Sequence, residues 1–327
     1  MQFLRLEFLN FQVFCNSLIF LYIFFLFFRI LSKKFILKMT LFASFLLLLY
    51  CIGHSYWNFL VKKSDNPQIM LVLIALGSWI IFSPIAIIYV ISNPISLDIW
   101  LLILINSVLQ IFYYAFLGKA YKLADLSIVY PLARGSAVFF IPLWGVLFLG
   151  ETISSSAIVG ILMVFLGLIF ISVIPILSNK LRVNRNLLVG IFLSILVGLN
   201  ISFYTIVDKQ AVSSVHPFVY PILITIGSSL GAILFTGSKS KIKDLKIEFR
   251  KNYSSVLLGS SIMYLAYSVM LYALNISRMS YAGTARELTI IVGMIWSYFF
   301  LKEKITKLRI FSVIVIFFGA VIISFSN

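Results

Sequence analysis

The stretch LARGSAVFFIPLWGVLFLGETIS, residues 132–154, decides the fold because the chain carries it twice. It aligns without a gap with TARELTIIVGMIWSYFFLKEKIT, residues 284–306. Identical residues recur at an offset of 152 positions, which is 286 minus 134. The pairs that bear on function and packing include Arg134 and Arg286, Glu151 and Glu303, and Gly167 and Gly319. A repeat of this length indicates that the chain consists of two related halves.

Composition places both halves in a membrane. Of the 327 residues, 62% are hydrophobic and 11% are charged, whereas soluble domains average about 45–50% and about 25%. Runs of about 20 apolar residues match a helix that crosses a hydrocarbon core of about 30 Å, and helices bond their backbone polar groups within one segment. The runs fall near 11–31, 40–61, 68–91, 97–118, 124–149, 155–177, 187–207, 217–236, 254–275, 281–301 and 308–325.

These patterns predict an all-α integral membrane protein with ten transmembrane helices in two inverted five-helix repeats, residues 39–178 and 186–327. A weaker echo supports the repeat, because YWNFLVKK at 56–63 corresponds to FYTIVDKQ at 203–210. Five spans per half is an odd number, so the second half enters the membrane from the opposite side. Inverted repeats of this kind surround a midplane site in many secondary transporters.

Residues 1–38 form an extra N-terminal hydrophobic segment outside this plan. No small-residue cleavage site follows the apolar run, so it does not read as a signal peptide. Two interpretations remain open. The segment is either an additional membrane helix, or an artefact of a start codon assigned upstream of Met39.

Basic residues predict the orientation and explain the net charge of +16. Seventeen Lys and Arg residues lie on the side where the first repeat's first helix ends, and six lie on the other. The positive-inside rule makes the richer side cytoplasmic, in a multi-pass protein of the cytoplasmic (inner) membrane. Anionic lipid headgroups are the expected partner of KSKIKDLKIEFRK at 239–251. No loop is large enough for a nucleic-acid-binding module, so no nucleic acid is expected.

Arg134 is the first candidate for a functional residue, because a charge deep in hydrocarbon costs about 2.5–3.5 kcal/mol on insertion scales. It either bonds to carbonyls freed by a helix break, or faces a central cavity and binds an anion with its planar guanidinium. Arg286 at the repeat-related position favours the anion site. Glu287 complicates it, because this carboxylate is placed to pair with Arg134, which makes a zwitterionic substrate or proton coupling conceivable.

Further polar residues share helix faces with these positions. His54, Trp57 and Asn58 lie at helical spacing on one face, and Asn200 and Tyr204 do so on the repeat-related helix. These residues line a cavity or form interhelical hydrogen bonds. Weaker candidates occupy the predicted span near 97–118: Tyr113, Tyr114, Asn106 and Gln110. Glu151 and Glu303 each precede a helix, where a carboxylate favourably meets the positive end of the helix dipole.

A family resemblance extends these residue-level inferences. SIVYPLARGSAVFFIPLWGVLFLGETISSSAIVGILMVFLGLIFI at 127–171 and HSYWNFLVKKS at 54–64 resemble the EamA-like branch of the drug/metabolite transporter superfamily. The resemblance covers about residues 39–327 and implies a ten-helix transporter that does not hydrolyse ATP. Its motifs say little about the substrate. The second copy departs from the first, with Ala285-Arg286-Glu287 in place of Ala133-Arg134-Gly135.

The function predicted is secondary transport of a small organic anion or zwitterionic metabolite by alternating access. A drug or lipid-linked exporter of the same superfamily is one alternative, and a non-transporting membrane assembly protein is another. No enzyme signature is present, and two histidines and two isolated cysteines imply neither a metal nor another cofactor. The predicted substrate-binding residues are Arg134, Arg286, Glu287, His54, Trp57, Asn58, Asn200, Tyr204, Tyr113 and Tyr114.

Overall fold

A computed structural model describes residues 41–124, 126–177, 184–235, 242–301 and 306–326. Within these ranges the chain is helical and has no strand. The extra segment 1–38, its span near 11–31, Cys15 and Glu303 lie outside the described residues. The helices are α1 Leu41–Lys63, α2 Pro67–Ser92, α3 Leu97–Leu123, α4 Leu126–Leu149, α5 Ser155–Leu177, α6 Arg185–Ala211, α7 Tyr220–Phe235, α8 Ile242–Asn275, α9 Met279–Ala285, a 3₁₀ turn Arg286–Leu288, α10 Thr289–Leu301 and α11 Lys307–Phe325.

Eight of the described helices are long and apolar enough to cross a membrane, judged by length and composition. They are α1 to α6, α8 and α11. Helix α7 is a shorter apolar helix, and the 3₁₀ turn divides the predicted span 281–301 into α9 and α10. The chain is thus a membrane protein whose described residues form helices and no strands, while the count of ten spans stays a prediction.

The break at Arg286–Leu288 differs from the uninterrupted span expected there. Helix α1 provides its physical basis, since the Cys51 thiol lies 3.7 Å from the Arg286 carbonyl oxygen and the Ser55 hydroxyl donates to the Thr289 carbonyl at 2.8 Å. Irregular backbone at membrane depth is tolerated where protein groups satisfy its carbonyls. Side chains of α1 therefore stabilise the turn.

Helix α8 also differs from expectation, because the predicted span starts only near residue 254. The helix already begins at Ile242 and continues to Asn275, with a kink at Asn252 (φ −123°, ψ 26°). The Asn252 side chain donates to Glu248 at 2.9 Å. Lys, Leu and Glu favour helix in this stretch, so its basic character does not prevent helix formation.

Elements from the two halves pack against one another. Helix α4 packs on α6, α3 on α6 and α7, α1 on α8 and α10, and α5 on α11. Gly198 permits the close approach of α6 to α4, because a Cβ there would lie 2.6 Å from the Ala133 carbonyl oxygen and 2.8 Å from the Ala137 nitrogen. The α4–α6 contact places Arg134 beside the second half.

The α5–α11 crossing repeats its contacts under the sequence offset. A Cβ on Gly167 would lie 2.6 Å from Ile316, and one on Gly319 would lie 2.9 Å from Val164. Gly319 occupies the repeat-related position of Gly167, and Val164 occupies that of Ile316. Such an exchange of partners is characteristic of a two-fold relation between packed units.

Candidate functional site

A buried charge cluster joins α4 to the 3₁₀ turn. Glu287 Oε1 lies 3.2 Å from Arg134 Nη1 and 3.3 Å from Arg286 Nε. The side chains are 8%, 2% and 0% exposed for Arg134, Arg286 and Glu287. The two repeat-related arginines and the adjacent Glu287 therefore meet, and Glu287 contacts both arginines rather than Arg134 alone.

Local structure explains why these side chains converge. Arg134 lies within α4, between Pro131 and Pro142. Arg286 and Glu287 begin the 3₁₀ turn, which stands where the equivalent part of α4 is continuous helix. The turn allows two neighbouring side chains to bond to each other through Arg286 Nε and Glu287 Oε1.

His54 extends the cluster toward α1. Its Nε2 lies 3.1 Å from Arg134 Nη2. A guanidinium has donors only, so Nε2 accepts, and the imidazole is neutral with its proton on Nδ1. The ring contacts Tyr50 at 5.1 Å and Trp57 at 5.2 Å between centroids, so Trp57 is connected to the cluster through His54.

Aromatic rings surround the two guanidinium groups. Arg134 Cζ lies 5.5 Å from the Tyr130 ring centroid and Arg286 Cζ lies 6.0 Å from that of Tyr204, distances at which a cation is attracted to an aromatic face. Tyr113 meets Tyr204 edge to face at 6.4 Å and Tyr114 at 5.2 Å. Tyr113 is thus connected to the cluster through Tyr204, and Tyr114 through Tyr113.

Two predicted residues are not joined to the cluster by a direct bond. Asn58 donates to the His54 carbonyl of its own helix at 2.7 Å. Asn200 is buried on α6, one turn before Tyr204, and its Oδ1 has no hydrogen-bond partner among the described residues. Tyr50 and Tyr130 were missed by the sequence-based prediction, although each lies four residues before His54 or Arg134 on the same helix face.

The cluster retains unused bonding capacity. Within the described part of the chain, buried polar atoms without a partner include Arg286 Nη2, Glu287 Oε2 and Thr289 Oγ1. Two guanidinium groups and one carboxylate give the cluster a net charge of +1. A buried site with excess positive charge and a free donor can accept an anionic group.

Glu151 has a different role from that of a substrate ligand. Its carboxylate accepts from the Met279 amide at 2.5 Å and the Ser280 amide at 3.0 Å, and it also bonds the Ser280 hydroxyl. It therefore caps the N-terminus of α9 rather than that of α5, the helix that follows it. The nearby Lys209 ammonium donates to the carbonyls that end α8, those of Leu274, Asn275 and Ser277.

A second polar cluster lies between α3, α6, α7 and α8. Asp208 Oδ1 accepts from Asn106 Nδ2 at 2.6 Å, and Oδ2 accepts from the Tyr267 hydroxyl at 2.6 Å. Asn106 Nδ2 also lies 2.8 Å from the Tyr220 hydroxyl, and Gln110 donates to Asn106 at 3.4 Å. Asp208 was missed by the sequence-based prediction, although it follows Tyr204 by one helical turn. No group of three metal-binding side chains occurs among the described residues.

Comparisons with known proteins match this architecture. The model of a family described as the EamA-like transporter family matches residues 41–173 and 188–325. No curated protein matches the chain in sequence. Among 28 matching chains of solved structures, one described as "Crystal structure of protein" is 13% identical, with a TM-score of 0.60 over 88% of this chain and 97% of its own. At that identity the likeness concerns the fold alone.

Proposed function

The chain belongs to the EamA-like transporter family, and from this premise we propose that it carries a small organic anion or zwitterionic metabolite across a membrane by alternating access. The substrate binds at the cluster formed by Arg134, Arg286 and Glu287. His54 and the surrounding rings of Trp57, Tyr113, Tyr114 and Tyr204 line the site, with Asn58 and Asn200 at its edge.

The excess positive charge of the cluster carries this proposal. Two buried guanidinium groups share one carboxylate oxygen, and a buried charge without a counter-ion is costly. One carboxylate or phosphate group of a substrate supplies the missing negative charge. Arg286 Nη2, which has no partner among the described residues, provides a donor for it. The amine of a zwitterion would meet Glu287 Oε2.

Two inverted repeats, residues 39–178 and 186–327, supply the motion in this proposal. The exchange of partners at the α5–α11 crossing supports a two-fold relation between them. The cluster is intact and almost fully buried, as expected of a site closed to both sides. Rocking of the halves then opens it to one side at a time.

Two aromatic clusters are suited to act as gates. Trp144 stacks on Phe203 of α6 at 5.2 Å, while Trp296 stacks on Phe300 at 4.7 Å and meets Tyr56 of α1 at 5.1 Å. The tryptophans hold equivalent positions in the two repeats, ten residues after Arg134 and Arg286 respectively, which is about 15 Å along a continuous helix such as α4. Inverted repeats place them on opposite sides of the arginines, so each closes one entrance.

Orientation and surroundings complete the proposal. In this proposal the protein lies in the cytoplasmic (inner) membrane. The charge bias supports a cytoplasmic location for its basic loops, with anionic headgroups near the basic start of α8. Lys209 and Arg278 lie on the side poor in basic residues. Both bond backbone carbonyls there: those that end α8 for Lys209 and that of Thr152 for Arg278, which gives them structural roles despite the positive-inside rule.

An uptake assay tests the proposed function. The purified full chain in proteoliposomes is offered succinate, glycerol 3-phosphate and L-alanine as a carboxylate, a phosphate and a zwitterion. We expect uptake of at least one probe, abolished by Arg134→Ala and by Arg286→Ala. Arg250→Ala, which removes an exposed arginine of α8, serves as the control. Uptake that survives both arginine substitutions contradicts the anion site.

The rings around the arginines favour one second candidate, export of an aromatic drug or lipid-linked compound. Six aromatic side chains lie in or next to the cluster: Tyr50, Trp57, Tyr113, Tyr114, Tyr130 and Tyr204. Uptake of the aromatic cation ethidium that survives Arg134→Ala and falls in Tyr204→Ala would support this candidate over the anion carrier.

A further inference from the structure

Asp208 is a buried carboxylate that the substrate site does not use. It lies on α6 one turn after Tyr204, toward the C-terminal end of that helix, and it is 0% exposed. Both oxygens accept short hydrogen bonds, from Asn106 and from Tyr267. An ionisable residue inside a membrane protein marks a functional site by default, because burying its charge is costly.

No basic side chain neutralises Asp208 directly. Among the described residues, the ion pairs join Arg134 and Arg286 to Glu287, and Lys251 to Asp65. Lys209, next in sequence, directs its ammonium to the carbonyls that end α8. Helix α3 presents only neutral amides to Asp208. The titratable groups that face it are Tyr220 of α7, Tyr267 of α8 and Tyr204 of α6, and Arg286 of the 3₁₀ turn is a charged group at longer range.

The geometry restricts which cation Asp208 binds. Hard metal ions require several oxygen ligands, whereas the nearest group of Asn106 is its donor nitrogen. A substrate ammonium needs an oxygen with free bonding capacity, and both oxygens of Asp208 already accept hydrogen bonds, unlike Glu287 Oε2. A proton needs neither, because it adds to an oxygen already present.

We propose that Asp208 is a proton-binding site that couples the proposed transport to a proton gradient, with proton and anion moving together. This inference rests on the proposed function. A hydronium ion from the aqueous side transfers one proton to a carboxylate oxygen of Asp208 and leaves water. No other bond is formed or broken.

The charges of Asp208, Glu287 and the two arginines determine the direction of the coupling. With Asp208 ionised, its charge and that of Glu287 balance those of Arg134 and Arg286. Protonation of Asp208 leaves a net charge of +1, which one anionic group neutralises. Proton binding therefore strengthens anion binding, and by linkage anion binding strengthens proton binding. That reciprocity produces symport rather than exchange.

Infrared difference spectroscopy tests the proton site without knowledge of the substrate. The reconstituted full chain is titrated with acid, and the carbonyl stretch of a protonated carboxylic acid is recorded. We expect a titrating band in the wild type that is lost in Asp208→Asn and kept in Asp98→Asn, the same change at an exposed aspartate of α3. A titration spectrum of folded Asp208→Asn identical to that of the wild type overturns the proposal.

Tyr267→Phe decides the question if Asp208→Asn does not fold. It removes the hydroxyl that donates to Asp208 and keeps the ring, so the band should move in frequency as the acid group loses its hydrogen-bond partner. A band at unchanged frequency places the proton elsewhere and overturns the proposal.

A transport measurement separates the two proposals. Uptake of succinate, glycerol 3-phosphate and L-alanine is compared with and without an acidic exterior. An acidic exterior should increase uptake of the transported probe in the wild type and in Asp98→Asn, and this increase should be absent in Asp208→Asn. An equal increase in Asp208→Asn overturns the coupling. If none of the probes moves in any variant, the proposed function fails, and the infrared band alone decides whether Asp208 binds a proton.

Discussion

Glu287 holds two arginines together through a single carboxylate oxygen. The bonds to Arg134 and Arg286 are 3.2 and 3.3 Å long, and all three side chains are buried. Its second oxygen has no hydrogen-bond partner among the described residues. Glu287 is thus a fixed anion between the two arginines, and in the proposed function a substrate carboxylate binds the same guanidinium groups. The stability of the cluster is therefore connected to its proposed function.

Removal of the Glu287 charge should destabilise the protein strongly. In Glu287→Gln two buried guanidinium groups lose their counter-ion, and breaking a buried ion pair costs about 3–5 kcal/mol. Thermal unfolding in detergent should show a large fall in the midpoint, with little change in Asp98→Asn. Equal midpoints for the two variants would mean that the cluster is solvated rather than buried.

The arginine cluster was predictable to the extent that the repeat revealed it. Arg134 and Arg286 were predicted because charges inside apolar runs at matching positions are rare, Glu287 because its carboxylate lies beside Arg286 in the sequence, and the structure brings all three together. Whether they bind substrate stays a prediction. Asp208 was missed because a charged residue close to the end of a span is expected to be solvated. Only tertiary packing buries it beside Asn106.

At the scale of elements, short-range pattern and long-range packing contribute differently. Helices over most apolar runs follow from length and hydropathy. The 3₁₀ turn does not, because its carbonyls are satisfied by Cys51 and Ser55, more than 230 residues away in sequence. The same holds for Glu151, whose sequence context indicated the helix that follows it, whereas folding brings α9 to its carboxylate.

Glu151→Gln should loosen the start of α9. The substitution removes the charge that faces the Met279 and Ser280 amides, and a lost N-terminal cap costs about 0.5–2 kcal/mol. Hydrogen exchange followed by mass spectrometry should show faster exchange in peptides that cover 279–285. Peptides of α11, whose own cap is Thr306, provide the internal control. Unchanged exchange at α9 would show that Glu151 does not cap it in solution.

Two glycines provide a matched test of the packing around the site. Gly198→Ala places a methyl group 2.6 Å from a carbonyl oxygen of α4, whereas in Gly293→Ala the methyl group meets Ser55 Oγ at 3.9 Å and, outside its own helix, no nearer atom of the described residues. Overpacking costs about 1–3 kcal/mol, while Ala in place of Gly favours a helix by up to about 1 kcal/mol. The midpoint of thermal unfolding should therefore fall for Gly198→Ala and stay the same or rise for Gly293→Ala. The reverse order would contradict the α4–α6 contact.

At the scale of the whole molecule, the proposed carrier consists of two related halves, with the substrate site between them and an aromatic cluster toward each end. The repeat at an offset of 152 residues predicted the two halves, and the contacts at the α5–α11 crossing follow the same offset. The difference between continuous α4 and the broken α9–α10 segment was not predictable, because two similar sequences occupy different surroundings. Such a difference between equivalent elements is expected of a carrier whose halves alternate between two conformations.

Cys51 reports on this alternation most directly, because it is buried at the site and contacts the Arg286 carbonyl. In Cys15→Ser it is the only thiol of the chain. A membrane-impermeant maleimide is added from either face of oriented vesicles, with and without succinate, glycerol 3-phosphate or L-alanine. We expect labelling of Cys51 from both faces and protection by the transported probe. Labelling from one face only, or from neither, would contradict alternating access.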